Sequence, residues 1–201
     1  MESKEIAGMK VAALVTEGFE QVEFTGPRDA LQAEGVKVLL VSHQPGEVQA
    51  FKHHDRADKF KVDLGFEQAR AEDFDAVLLP GGVINSDQMR LIKPAQKFVQ
   101  DMDEAGKPIF VICHGGWLLI SAGLVNGRTM TSWPTLQDDI RNAGGQWVDR
   151  AAVVDGKLVS SRKPADLPDF NRAMLDMLHM GEASGSGHLG SQMSLGMYPN
   201  G

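Results

Sequence analysis

Four short apolar runs separated by segments of helical period place the strongest constraint on how this chain can fold. Residues 10–15, 36–41, 76–79 and 109–112 are nearly continuous in Val, Leu, Ala, Ile and Phe, which is the pattern of strands buried on both faces. Between the third and fourth, Ala95, Phe98, Val99 and Met102 recur at i, i+3, i+4 and i+7, with Pro94 near the start and Gly106 past the end. That spacing predicts a helix. Leu136, Ile140 and Ala143 form a second stripe between Pro134 and Gly144, and Leu167, Phe170, Met174 and Met177 form a third. Val153 to Val159 reads as a hairpin, because Asp155-Gly156 suits the positive φ angles of a tight turn. Strands alternating with helices predict an α/β fold with a mainly parallel central sheet.

The 201 residues are enough for one domain with its own core. That domain is expected over residues 1–180, with the Gly-, Ser- and Met-rich stretch 181–201 as a flexible tail whose composition cannot repay its ordering entropy. Residues 51–61 are polar and irregular and read as a solvated loop. His53 and His54 within it do not suggest a metal site, since neighbours on an extended chain point to opposite faces. No metal and no cofactor is expected. A single cysteine excludes an intramolecular disulfide, and the N-terminal residues lack the pattern of a signal peptide, so a cytoplasmic location is expected. No apolar run approaches the ~18 residues needed to span a bilayer, and a net charge of −7 offers no footprint for a phosphate backbone. Membranes and nucleic-acid scaffolds are not expected partners.

The fourth apolar run empties into Cys113-His114-Gly115-Gly116, followed by a helical stretch over 117–122. A thiol at a strand-to-helix turn is exposed at a sheet edge, and the positive end of the helix dipole favours its thiolate. The turn also leaves backbone N–H groups for an oxyanion. Free cysteines are as often small core residues, but an adjoining imidazole and two glycines argue for chemistry. Ligands of parallel sheets bind beyond the carboxyl ends of the strands. The segment 16–23, with Glu17, Glu20 and Glu23, follows the first run, and Pro80-Gly81-Gly82 follows the third. A carboxyl, a glycine pair and a thiol therefore meet at one edge, although the residues alone do not choose among the three glutamates. Gly81-Gly82 reads equally as close backbone approach or as a plain turn. Trp117 and Trp133 fit either a pocket or subunit contact or the core.

Six collinear segments carry a more specific resemblance: Glu17 to Glu23, Leu78 to Gly82, Asn85 to Arg90, Ile112 to Gly115, Thr131-Ser132-Trp133, and Val159 to Leu167. Over residues 9–178 the chain resembles the ThiJ/PfpI superfamily, most closely its intracellular protease I, general stress protein and deglycase branch. The resemblance implies a flavodoxin-like three-layer α/β sandwich of the class I glutamine amidotransferase type, with Cys113 as nucleophile on a strained elbow. It implies that a protonated Glu20 donates to the Cys113 sulfur. It also implies that His114 pairs with an acid of a neighbouring subunit, for which Asp87 matches best and Ser86 is the alternative. Gly82 and His114 would supply oxyanion-hole amides, with Gly81 and Gly115 also at the substrate. A composite site of this kind needs a homodimer or higher homo-oligomer. The chain departs from the branch at Gly116, where proline is frequent, and in the length-variable loop bearing Asp87.

Fold relatives that hydrolyse glutamine carry a downstream His-x-Glu, whereas residues 160–164 here contain no histidine, so glutaminase chemistry is disfavoured. The preferred reading is a glyoxalase III or deglycase acting on small carbonyl substrates or glycated protein and peptide. The second is a cysteine peptidase with a Cys113, His114 and subunit-borne Asp87 triad. The third is a redox-sensing stress protein or chaperone whose Cys113 oxidises. That last reading lacks a resolving cysteine.

Overall fold

A computed structural model describes residues 5–43 and 45–181; the expected tail lies, beyond Gly181, outside the described residues. In chain order the elements are β1 (Lys10–Leu14), β2 (Phe19–Glu20), α1 (Gln21–Ala33), β3 (Lys37–Ser42), β4 (Glu47–Lys52), β5 (Asp55–Lys61), β6 (Leu64–Gly65) and β7 (Ala76–Leu79). There follow α2 (Val83–Met89), α3 (Lys93–Glu104), β8 (Ile109–Ile112), α4 (Gly116–Ser121), β9 (Thr129–Met130), α5 (Gln137–Asn142), β10 (Gln146–Trp147), β11 (Ala152–Asp155), β12 (Leu158–Ser161) and α6 (Leu167–His179).

Seven strands form the central sheet in the order β11-β12-β8-β7-β1-β3-β6, parallel throughout except for β11. The apolar runs are continuous because each strand feeds two cores. Val11 and Ala13 of β1, Leu78 of β7, and Phe110 and Ile112 of β8 face a core shared with α1 and α6. Ala12 and Leu14, Val77 and Leu79, and Ile109 and Val111 face the opposite core, shared with α3, α4 and α5. Side chains that alternate between two covered faces leave no polar position on the strand. The result is the expected flavodoxin-like α/β/α sandwich.

The helices follow their stripes. Ala95, Phe98, Val99 and Met102 are buried on α3, and Leu167, Phe170, Met174 and Met177 on α6. The stripe opened by Pro134 divides into a 3-10 turn, Pro134–Leu136, and the short α5. The hairpin is present as β11 and β12, paired Val154 to Val159 and Asp155 to Leu158.

Residues 51–61 are not a loop. β4 and β5 pair antiparallel, and β4 also pairs with β2, so a three-stranded ribbon flanks the sandwich. Its turn is made by His53 at φ 57° and His54. The ribbon is anchored by Phe60, whose ring lies 5.7 Å from Phe19 and 5.4 Å from Phe24. The remaining side chains of β5 are mostly exposed and charged, as befits an edge strand, and so carry no apolar alternation.

Candidate active site

Three loops leave the carboxyl end of the sheet and meet beside one another. After β1 the chain passes through β2 into α1, after β7 it turns at Pro80-Gly81-Gly82 into α2, and after β8 it reaches Cys113. Asn85 fastens the first two loops. Its Oδ1 accepts the Thr16 N–H at 2.6 Å, and its Nδ2 donates to the carbonyls of Pro80 at 3.1 Å and Gly81 at 2.9 Å.

Cys113 takes φ 61°, a left-handed conformation that a non-glycine residue holds only under constraint from its surroundings. The constraint is visible. The Cys113 carbonyl accepts the Trp133 N–H at 3.2 Å, and a Cβ on Gly115 would come within 2.6 Å of the Leu79 carbonyl oxygen. Gly115 therefore lets the elbow press against β7, and that close packing is the role its position gives it. Gly116 differs, for a Cβ there would meet only ordinary contacts at 3.5 and 3.6 Å. The helix that follows the elbow is only six residues long.

The carboxyl at the thiol is Glu23, not Glu20. Glu20 occupies the N-cap position of α1, ahead of the helix, and its Oε2 accepts the His53 N–H at 2.9 Å. Glu23 lies one turn into α1 on the same face as Pro27 and Leu31, fully buried, and it hydrogen-bonds with the Cys113 side chain. Its Oε2 accepts the Gly81 N–H at 2.9 Å, while its Oε1 is buried without a partner among the described residues. A charged carboxylate would be heavily penalised there. Burial lifts the Glu23 pKa to about 8, so the group is neutral at pH 7 and holds a proton to donate.

Burial also pushes the Cys113 thiol up, and a charged Glu23 pushes it further, both by repulsion and by accepting the S–H hydrogen bond. The backbone N–H groups of His114 and Gly82 face the sulfur and act in the opposite direction. Below pH 8 the repulsion from Glu23 vanishes and its O–H becomes a third donor to the sulfur. Stabilisation of a thiolate thus comes from these three donors, working against the burial that raises the thiol.

The glycine pair divides its work. The Gly81 N–H is spent on Glu23, so Gly81, expected at the substrate, instead holds the acid; a Cβ at Gly81 would lie 2.5 Å from Glu23 Oε2 and 2.6 Å from Cys113 Cβ. Gly82, at φ 90°, turns the chain so that its N–H faces the sulfur. The Nδ1 of His114 is 3.2 Å from Cys113 Sγ. Its ring is stacked on Trp133 and tilted against Trp117, with centroids 5.7 and 5.3 Å away, and burial lowers its pKa to about 4. Both tryptophans therefore brace the imidazole. On α2, Ser86 is buried and Asp87 is exposed, so only Asp87 is available to another molecule.

A family model described as the DJ-1/PfpI family matches residues 9–177. The chain is 43% identical over 170 residues to a Pyrococcus horikoshii protein named as a deglycase, covering 85% of this chain and 99% of that one. It is 37% identical over 169 residues to a Bacillus subtilis protein provisionally named as a cysteine protease, covering 84% and 98%. Among solved structures it is similar to a two-domain Anabaena variabilis protein with DJ-1/ThiJ/PfpI-like and ferritin-like domains. The TM-score is 0.81 at 35% identity, over 87% of this chain and 49% of that one, so the chain spans about half of that protein.

Proposed function

The chain belongs to the DJ-1/PfpI family, and on that premise we propose that it is a cysteine-dependent enzyme of the glyoxalase or deglycase type. Its substrates are reactive dicarbonyls and their early adducts on amines. The observation that carries this reading is a neutral, buried Glu23 against the Cys113 sulfur, with the amides of Gly82 and His114 turned to the same atom.

With methylglyoxal the Cys113 sulfur adds to the aldehyde carbon, the S–C bond forms, and the carbonyl oxygen takes a proton to give a hemithioacetal. Glu23 supplies that proton. Its carboxylate then moves a proton from the sulfur-bearing carbon to the adjacent one through an enediol, turning the hemithioacetal into a lactoyl thioester. Water cleaves the S–C bond, releasing lactate and one proton to solvent and restoring the thiolate and the protonated Glu23. The N–H groups of Gly82 and His114 meet the oxygen that carries charge in the addition and hydrolysis steps. From an aminocarbinol adduct, the Cys113 thiolate forms the S–C bond at the carbinol carbon as the C–N bond breaks and Glu23 protonates the departing amine; the resulting hemithioacetal then follows the same course, with one molecule of lactate per water consumed.

A peptidase reading is favoured by one feature of α2. Asp87 is exposed beside the exposed side chains of Val83, Ile84 and Leu91, a charged residue in an apolar patch of the kind that joins copies of a chain. In such a homo-oligomer Asp87 of the partner subunit would face the His114 imidazole and complete a Cys-His-Asp arrangement.

The test is methylglyoxal consumption with stereospecific lactate detection in thiol-free buffer, for wild type, Cys113→Ser and Glu23→Gln. Catalytic lactate formation by wild type, lost in both variants, is the expected result. Equal slow scavenging by all three proteins would overturn the carbonyl reading.

A further inference from the structure

A guanidinium is seated behind the imidazole of the thiol site. Arg90 closes α2, where its Nε donates to Ser121 Oγ at 3.1 Å and its Cζ lies over the Trp117 ring, 5.5 Å from the centroid. Trp117 in turn donates its Nε1–H to Asp139 Oδ2 at 2.9 Å and packs against the His114 ring. A line of contacts therefore runs from α2 through Trp117 to His114, whose Nδ1 is 3.2 Å from Cys113 Sγ.

The Arg90 charge has no carboxylate partner among the described residues, and Asp87, one turn earlier on α2, does not pair with it. A cation with no anion beside it is attracted to the negative face of an aromatic ring, most strongly to that of tryptophan. The hydrogen bond to Ser121 fixes the plane of the guanidinium fork, which the point charge of a lysine does not reproduce. Asp139 holds the edge of the indole and Arg90 its face, so Trp117, itself only partly buried, keeps one orientation.

The imidazole depends on that orientation. It is stacked on Trp133 and tilted against Trp117. Titratable and charged groups are joined to it directly at Cys113, through the sulfur at Glu23, and through Trp117 at Arg90 and Asp139. Burial outweighs them all in lowering its pKa, and Trp117 is part of what buries it.

We propose that Arg90 is a positioning residue of the thiol site: its guanidinium, fixed by Ser121, holds Trp117 against the His114 imidazole and so keeps Nδ1 beside the Cys113 sulfur. The assignment rests on the reading of Cys113 as nucleophile and deepens it with a residue that acts only through Trp117. Gln96 supplies the control, for its Nε2 donates to the Arg90 carbonyl and steadies the backbone of Arg90 rather than its side chain.

The test is the pH titration of the His114 ring resonances, assigned by their absence from His114→Asn, in wild type, Arg90→Met, Arg90→Lys, Ser121→Ala and Gln96→Ala. Wild type should titrate at about 4. Arg90→Met keeps the length of the side chain and loses the cation, and the midpoint is expected to rise toward the ordinary 6.5 as Trp117 withdraws and water reaches the ring. Arg90→Lys and Ser121→Ala should raise it part of the way, and Gln96→Ala should leave it in place. In parallel, kcat for methylglyoxal should fall about tenfold in Arg90→Met with KM unaltered. A midpoint that stays at the wild-type value in Arg90→Met overturns the proposal, as does an equal rise in Gln96→Ala. Arg90→Lys indistinguishable from wild type would also overturn it, since the charge alone would then be acting. Should Arg90→Met fail to fold, Ser121→Ala and Arg90→Lys carry the same test. Midpoints displaced as expected, in a protein whose wild type does not turn over methylglyoxal, would overturn the carbonyl reading and leave the role of Arg90 standing.

Discussion

The carboxyl of Glu23 hydrogen-bonds with the Cys113 side chain while its Oε2 accepts the Gly81 N–H at 2.9 Å, so one buried acid ties the nucleophile's loop to the glycine turn after β7. The Glu20 carboxylate, three residues earlier, accepts the His53 N–H of the β4–β5 turn instead. The two glutamates therefore differ in what their loss does. Glu23→Gln is expected to reduce methylglyoxal turnover 100-fold or more through kcat, since it removes the proton that general acid–base chemistry needs. Steady-state kinetics check this, and an unaltered kcat would remove Glu23 from the mechanism.

Protonation of the same residue sets a slope of stability against pH. Glu23 titrates near 8 in the fold and at the ordinary 4.5 when unfolded, so between these values the folded state holds a proton that the unfolded state has released. Stability then falls as pH rises, by about 1.4 kcal/mol per pH unit. His114 acts oppositely. Its pKa falls from 6.5 to about 4 on folding, and its contribution is lost as pH drops through that window. The two trends oppose each other up to pH 6.5, and from there to pH 8 the Glu23 slope stands alone. Urea titrations should show wild type losing about 2 kcal/mol over that range relative to Glu23→Gln. Parallel pH profiles for the two proteins would contradict a neutral Glu23.

Asn85 joins the loops after β1 and β7 without touching the thiol. Asn85→Ala strands the Thr16 N–H and the carbonyls of Pro80 and Gly81 in a buried place. A loss of about 2–4 kcal/mol in denaturant unfolding is expected, together with a drop in activity as the Gly81-Gly82 turn loosens. A variant as stable as wild type would show that water replaces the asparagine.

Two glycines should respond in opposite ways to the same change. Gly81→Ala forces a methyl group against Glu23 Oε2 and Cys113 Cβ and is expected to abolish turnover. Gly116→Ala places its methyl in open contact on a helical backbone at φ −57°. It should stabilise the protein by about 0.5–1 kcal/mol by restricting the unfolded chain. Thermal melts and activity assays on the pair separate the two cases.

The sheet and the elbow were legible in the chain because strands buried on both faces are continuous in apolar residues and because a lone cysteine beside a histidine and two glycines is unusual. The residues left three glutamates open for lack of a register, and the resemblance pointed to Glu20. Once α1 is placed at Gln21–Ala33, Glu23 shares its spacing with Pro27 and Leu31, which puts an acid on the buried face, whereas Glu20 precedes the helix. That clash of type and position was the available signal. The β4–β5 ribbon left less trace, because its outer strand reads Asp-Arg-Ala-Asp-Lys-Phe-Lys and its turn uses His53 in place of glycine or asparagine. Asn85 opens one of the six segments that carry the resemblance, but its role left no trace, since a polar residue in a short helix looks solvated until Thr16 is brought against it.

The rate of Cys113 alkylation by iodoacetamide below pH 7, in wild type and Glu23→Gln, tests the central claim most directly. In that range a neutral Glu23 that donates to the sulfur predicts slower alkylation once its O–H is replaced by the weaker amide donor. Faster alkylation of the variant there would mean that wild-type Glu23 is charged and repels the thiolate, and the account of the site would fail.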